Sequence, residues 1–151
     1  VAACQDLKLE MSVMTKAFRN IQNQTNYVVV EGAGGLLIPL NEVEDLGNFA
    51  KEIHLPIILV VGMKLGCINH ALLTYEAIKA RDLTIAGWVG NTLSIEMSLL
   101  QENLQTLKNR IAAPFLGLIP ALPKALQKPA NSPYSLEALT FAAQHIQLPK
   151  N

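Results

Sequence analysis

Apolar residues recur at Leu9, Val13, Met14, Ala17, Phe18 and Ile21, the three-and-four spacing that lays one stripe along a helix, with Lys16, Arg19 and Asn20 opposite. The polar stretch "QNQTN" ends that helix. "YVVVEG" is different in kind, a short unbroken apolar run of the sort expected in a strand covered on both faces. The unit then returns three times. "LGNFAKEIH" reads as helix and "PIILVVG" as buried strand, "NHALLTYEAIKARD" as helix and "TIAGWVGN" as strand, "EMSLLQENLQTLKNRI" as helix and "APFLGLIP" as strand. "SLEALTFAAQHI" closes the chain as a helix, and "ALPKALQKPANSPY" before it, proline-rich and without a period, is expected to be a surface loop.

Buried strands alternating with helices imply right-handed crossovers, a mostly parallel sheet and helices on both of its faces. The expected class is α/β. Open sheets of this kind take ligands at the C-terminal ends of their strands. That edge should therefore hold Glu31 with the glycines after it, residues 62–69, Asn91, and Ile119 with Pro120.

Composition narrows the partners. The chain has 151 residues, 50% of them hydrophobic, and balances 12 Lys and Arg against 12 Asp and Glu. We read a single α/β domain over residues 1–151 with enough apolar mass for a sizeable core. No basic stripe marks a nucleic-acid binder, so nucleic acid is not an expected partner. Cys4 and Cys67 are too few for a disulfide framework and lie in no zinc-like spacing, which makes a reducing cytoplasm the default. Apolar runs such as "IILVV" fall far short of the roughly 20 residues a membrane helix needs, and no membrane partner is expected. The chain opens without Met and without an element ahead of its first helix, and the expectation is a portion of a longer reading frame.

Three stretches carry candidate chemistry. In "EGAGG" the glycines reach positive φ and let backbone N–H groups approach an anion, while a carboxylate beside them can hold Mg²⁺. A tight turn with a solvated Glu is the plain alternative. In "GCINHA" Gly66, Cys67 and Asn69 lead into a helix whose N-terminus suits a carboxylate or phosphate, although Asn69 also serves as an ordinary N-cap. Lys64 reads either as an anion ligand or as a solvated loop charge. Cys67 reads as a small packed thiol rather than a nucleophile, and His70 as a polar residue at the helix start. Asn91, at the end of "GWVGN", offers a donor and an acceptor that complement an adenine edge, and "IP" with its following loop could wall the ring. No Walker-type GxxxxGK loop, GxGxxG, GxSxG or HExxH occurs.

In this order, "VVVEGAGGLLIPL", "LPIILVVGMKLGCINHALLT", "LTIAGWVGN" and "APFLGLIP" closely resemble the dethiobiotin synthetase family. The similarity runs from about residue 21 through residue 122 and more loosely beyond. The resemblance implies a P-loop NTPase-like three-layer α/β sandwich, a homodimer, and ATP with Mg²⁺. It implies ring closure of 7,8-diaminononanoate with CO₂ through a carbamate and a carbamic-phosphoric anhydride. On this match Glu31 is the Mg²⁺ ligand, and Gly32, Ala33, Gly34 and Gly35 run along the carbamate and phosphate. Gly66, Cys67 and Asn69 match the segment that grips the substrate carboxylate across the dimer. Asn91 matches the adenine-reading Asn, and Pro120 lies where the nucleotide pocket closes. No residue is assigned as catalytic acid, base or nucleophile.

The departure lies ahead of "VVVEG". The family's Walker-type loop with its Lys, a further Lys and a metal-shell Asp have no counterpart in these 151 residues. This chain by itself is therefore expected to be inactive, and its sheet to present an unpaired apolar edge. Two rivals remain at this level: a related ATP-using amidotransferase-type domain, and a shortened paralogue acting as a dimeric binding module.

Overall fold

The computed structural model describes residues 9–32, 34–93 and 97–148. Cys4 and Ala33 lie outside the described residues. The chain divides into two compact units, residues 1–56 with 76–84 and residues 57–75 with 85–151.

In the first unit, helix α1 (Met11–Gln22) and helix α2 (Leu46–Ile53) share a small core. Phe18, Phe49 and Ile53 are buried there, with Met11, Met14 and Val28 packed against them. The apolar stripe of α1 is thus split, because Leu9, Val13 and Ile21 stay exposed. Asp45 starts α2 with a capping box: its carboxylate accepts from Asn48 N–H at 3.0 Å while Asn48 Oδ1 accepts from Asp45 N–H at 2.8 Å. Arg81 Nη2 closes on the other oxygen of Asp45 at 2.5 Å.

The expected strand at "YVVVEG" does not form. No ladder joins residues 27–31, and Val29 is 94% exposed, whereas Val28 turns in against the core. A β-branched run is buried on both faces only inside a sheet that has other elements packed on each face, and among the described residues this run pairs with no strand. Glu31 consequently ends a segment without regular secondary structure and not a sheet strand.

The second unit is built on a parallel sheet of order β1-β2-β3, comprising β1 (Ile57–Met63), β2 (Ile85–Thr92) and β3 (Phe115–Ile119). These are the expected strands, though the first is not wholly buried. Among the described residues β1 pairs with β2 alone, and its Ile58 and Val60 remain exposed. Helix α3 (Cys67–Ala80) and helix α4 (Leu100–Arg110) follow the first two strands. The core joins Val61 and Met63 of β1, Cys67, Ala71 and Tyr75 of α3, Trp88 of β2, and Leu104 and Leu107 of α4. Trp88 is completely buried and lies 4.6 Å from Phe115, ring centroid to ring centroid. The Tyr75 hydroxyl accepts from Ala112 N–H at 3.2 Å, fixing α3 to the turn before β3.

Residue 99 adopts a left-handed conformation at φ +55°, so α4 begins at Leu100, later than the apolar pattern suggests. The proline-rich stretch is a loop, as expected, apart from a single 3₁₀ turn at Lys124–Leu126. Helix α5 (Leu136–Ala143) begins at Ser135, whose hydroxyl accepts from Ala138 N–H at 3.2 Å. Beyond it Gln147 N–H donates to the Leu116 carbonyl of β3 at 2.8 Å. Gly117 of β3 sits at φ +148°, and a Cβ placed there would fall on the His145 carbonyl oxygen. The segment after α5 can lie this close to β3 only because residue 117 has no side chain.

Candidate functional site

The sheet's register gathers the expected edge residues. Gly62 pairs with Asn91 and Asn91 with Ile119, so the three strands finish level with one another. Pro120 follows directly. A cavity of about 750 Å³ opens at this edge, lined by Asn91, Thr92, Pro120, Lys128, Tyr134 and Leu139 among others. Asn91 and Pro120 are thereby brought together in one wall. As a residue of the central strand, Asn91 has its backbone fixed by neighbours on both sides.

Thr92 is a site residue that the sequence reading missed. It is 8% exposed, lines the same cavity, and its Oγ1 has no hydrogen-bond partner among the described residues. A buried hydroxyl without a partner carries a desolvation cost that a ligand acceptor or donor in the cavity would remove. The only sequence signal was a second polar residue after Asn91 at the end of an apolar strand.

A second cavity, about 250 Å³, lies at the end of β1 and the start of α3, where Lys64, Cys67, His70 and Thr74 line it. Gly66, at φ +88°, turns the chain into α3, and its carbonyl accepts from His70 N–H at 3.2 Å. The helix begins at Cys67, so Asn69 stands exposed in its first turn and does not cap it. The Cys67 thiol is buried in the core, which matches the packed reading, and its N–H donates to the Lys64 carbonyl at 2.9 Å.

Glu31, Gly32, Gly34 and Gly35 belong to the first unit and are all exposed. Gly34 and Gly35 adopt φ of +81° and +124°, conformations that disfavour any side chain. The Glu31 carboxylate forms no ion pair with another described residue. Among the described residues no three His, Cys, Asp or Glu side chains cluster as a ready-made metal site.

Parallel strands joined through helices, with a cavity of mixed polar and apolar lining at their C-terminal ends, accord with the P-loop NTPase-like α/β class. A family model for the AAA domain matches residues 2–129, and the chain belongs to that family. Within it, the chain is 47% identical over 119 residues to a protein named ATP-dependent dethiobiotin synthetase BioD from Aromatoleum aromaticum, covering 79% of this chain and 53% of that protein. It is 44% identical over 143 residues to the protein of that name from Cellvibrio japonicus, covering 94% and 63% respectively. A third of that name, from Ralstonia nicotianae, is 48% identical over 108 residues, covering 72% of this chain. The chain thus spans 47%, 53% and 63% of the lengths of these curated relatives. Among the described residues, no helix is long and apolar enough to cross a membrane.

Proposed function

We propose that the whole protein to which this chain corresponds closes the cyclic urea of dethiobiotin on 7,8-diaminononanoate, using CO₂ and ATP, as a cytoplasmic homodimer. One amine takes up CO₂ and loses a proton to give a carbamate. The carbamate oxygen attacks the γ-phosphate, releasing ADP, and the second amine then attacks the carbonyl and expels phosphate. The observation that carries this reading is the cavity at the strand ends, where a fixed Asn91, the orphaned Thr92 hydroxyl and Pro120 meet. Such a wall suits the base of a nucleotide. The relatives' shared name, ATP-dependent dethiobiotin synthetase, supports the same ligand.

Glu31 fits Mg²⁺ in this scheme. Mg²⁺ commonly takes one or two carboxylates and fills its shell with phosphate oxygens and water, and Glu31 is an exposed carboxylate without an ion-pair partner among the described residues, beside a positive-φ glycine turn. Bound there, the metal would neutralise phosphate charge. The backbone of Gly32, Ala33, Gly34 and Gly35 would supply N–H groups toward carbamate and phosphate. Gly66, Cys67 and Asn69 would receive the substrate carboxylate across the dimer. Asn69 and the first-turn amides suit that task better than the Cys67 thiol, which is buried. These residues form the C-terminal portion of one longer P-loop-type domain, and the chain by itself does not turn over, because phosphoryl transfer needs a phosphate cradle.

The test measures phosphate release by the whole protein given ATP, bicarbonate and the diamine. Asn91→Ala is expected to raise the KM for ATP about tenfold, the worth of one good hydrogen-bonding contact to a base, with little change in melting temperature. Phosphate release that ignores the diamine refutes the reaction.

A further inference from the structure

The cavity at the strand ends contains a charge that the reading above leaves idle. Among its lining residues Lys128 alone is charged. Its ammonium lies 4.8 Å from the centroid of the Tyr134 ring and 3.5 Å from the Pro129 carbonyl oxygen. No carboxylate of a described residue pairs with it. A lysine stem is costly to order, and a half-buried ammonium settled on an aromatic face gives up little of its capacity to donate, since the ring satisfies no N–H geometrically. The Thr92 hydroxyl in the same wall has no hydrogen-bond partner among the described residues. The Lys128 ammonium, which keeps donors beyond the one turned to Pro129, the Thr92 hydroxyl and the Asn91 amide therefore line one volume.

We propose that Lys128, parked on Tyr134, is a specificity-determining contact in this cavity, donating to an acceptor on the nucleoside part of the bound nucleotide, a ring nitrogen or a ribose oxygen. This rests on the nucleotide reading of the cavity. A neutral base presents strong acceptors in its ring nitrogens, and an ammonium is a donor with no acceptor of its own, so the contact favours ligands that bring an acceptor to this wall. Tyr134 acts as a positioning residue: its ring holds the ammonium at the wall.

Adenosine and ATP are titrated against the whole protein by saturation-transfer NMR, which reads weak binding, with the wild type, Lys128→Met, Lys128→Arg, Tyr134→Phe and Asn91→Ala compared. Lys128→Met is expected to weaken both ligands about tenfold, the worth of one charge-assisted hydrogen bond, with the melting temperature unchanged. Lys128→Arg and Tyr134→Phe, which keep the cation and the ring, should stay close to wild type. Unchanged adenosine affinity in Lys128→Met alongside a loss in Asn91→Ala overturns this inference and leaves the nucleotide reading standing. A loss confined to ATP also overturns it, because the lysine would then be meeting phosphate. Failure of the wild type to bind either ligand removes both readings.

Discussion

Gly117→Ala tests whether α5 is held against the sheet by the absence of a single side chain. The added Cβ would meet the His145 carbonyl oxygen, with the His145 carbonyl carbon 3.0 Å away, and both are main-chain atoms that cannot rotate aside. Relief requires the segment after α5 to move off β3, which breaks the 2.8 Å bond from Gln147 N–H to Leu116 O, worth about 1 kcal/mol. The alanine must also hold φ near +148°, a strain on the order of 1–3 kcal/mol. Together these predict a loss of about 2–4 kcal/mol, or roughly 4–16 °C in melting temperature for a chain of this size. Because Ala138, Leu139 and Ala142 of α5 line the larger cavity, ligand affinity should fall with it. Circular-dichroism melts of Gly117→Ala and Gly35→Ala give the comparison. Gly35 is also at positive φ, but a Cβ there meets nothing within 4 Å, so its variant carries strain alone. Equal losses in the two variants would refute the steric argument.

Two further outcomes follow from the first unit. Glu31→Gln in the whole protein should leave the melting temperature nearly unchanged, since the side chain is exposed, while lowering diamine-dependent phosphate release by orders of magnitude; near-normal turnover would remove Glu31 from the metal shell. Asp45→Ala removes both the cap of α2 and the partner of Arg81, and is expected to cost about 1–2 kcal/mol by denaturant titration, with Arg81→Met costing less because the cap survives. A loss for Arg81→Met as large as that for Asp45→Ala would show that the cap contributes nothing measurable.

The strands and helices around Trp88 were legible because period and burial agree there. "PIILVVG", "TIAGWVGN" and "APFLGLIP" each pair with a neighbour that the chain itself supplies. "YVVVEG" carries the same local signal, yet pattern reports only a preference for burial. Without a ladder partner among the described residues, Val29 is left in solvent. Asn91 and Pro120 were readable as strand-end residues, and the register places them in one cavity wall. Thr92 and Lys128 were not, since an orphaned hydroxyl and a lysine resting on a ring six positions away emerge only from three-dimensional packing. The start of α3 at Cys67 escaped as well, because the positive φ of Gly66 lets the helix begin two residues before the Asn that resembles a cap.

Trp88 is the chain's single tryptophan, and it lies wholly inside the second unit's core, against Phe115. Its emission should be shifted to the blue while that core is intact and move to the red when water reaches it. The first unit contributes no indole, so a fluorescence trace follows the sheet and its helices alone, whereas circular dichroism sums over both units. Transitions that coincide by the two methods would mean that the units lose structure together. Separated midpoints would time the sheet's own melting, an optical clock that the chain carries without any label.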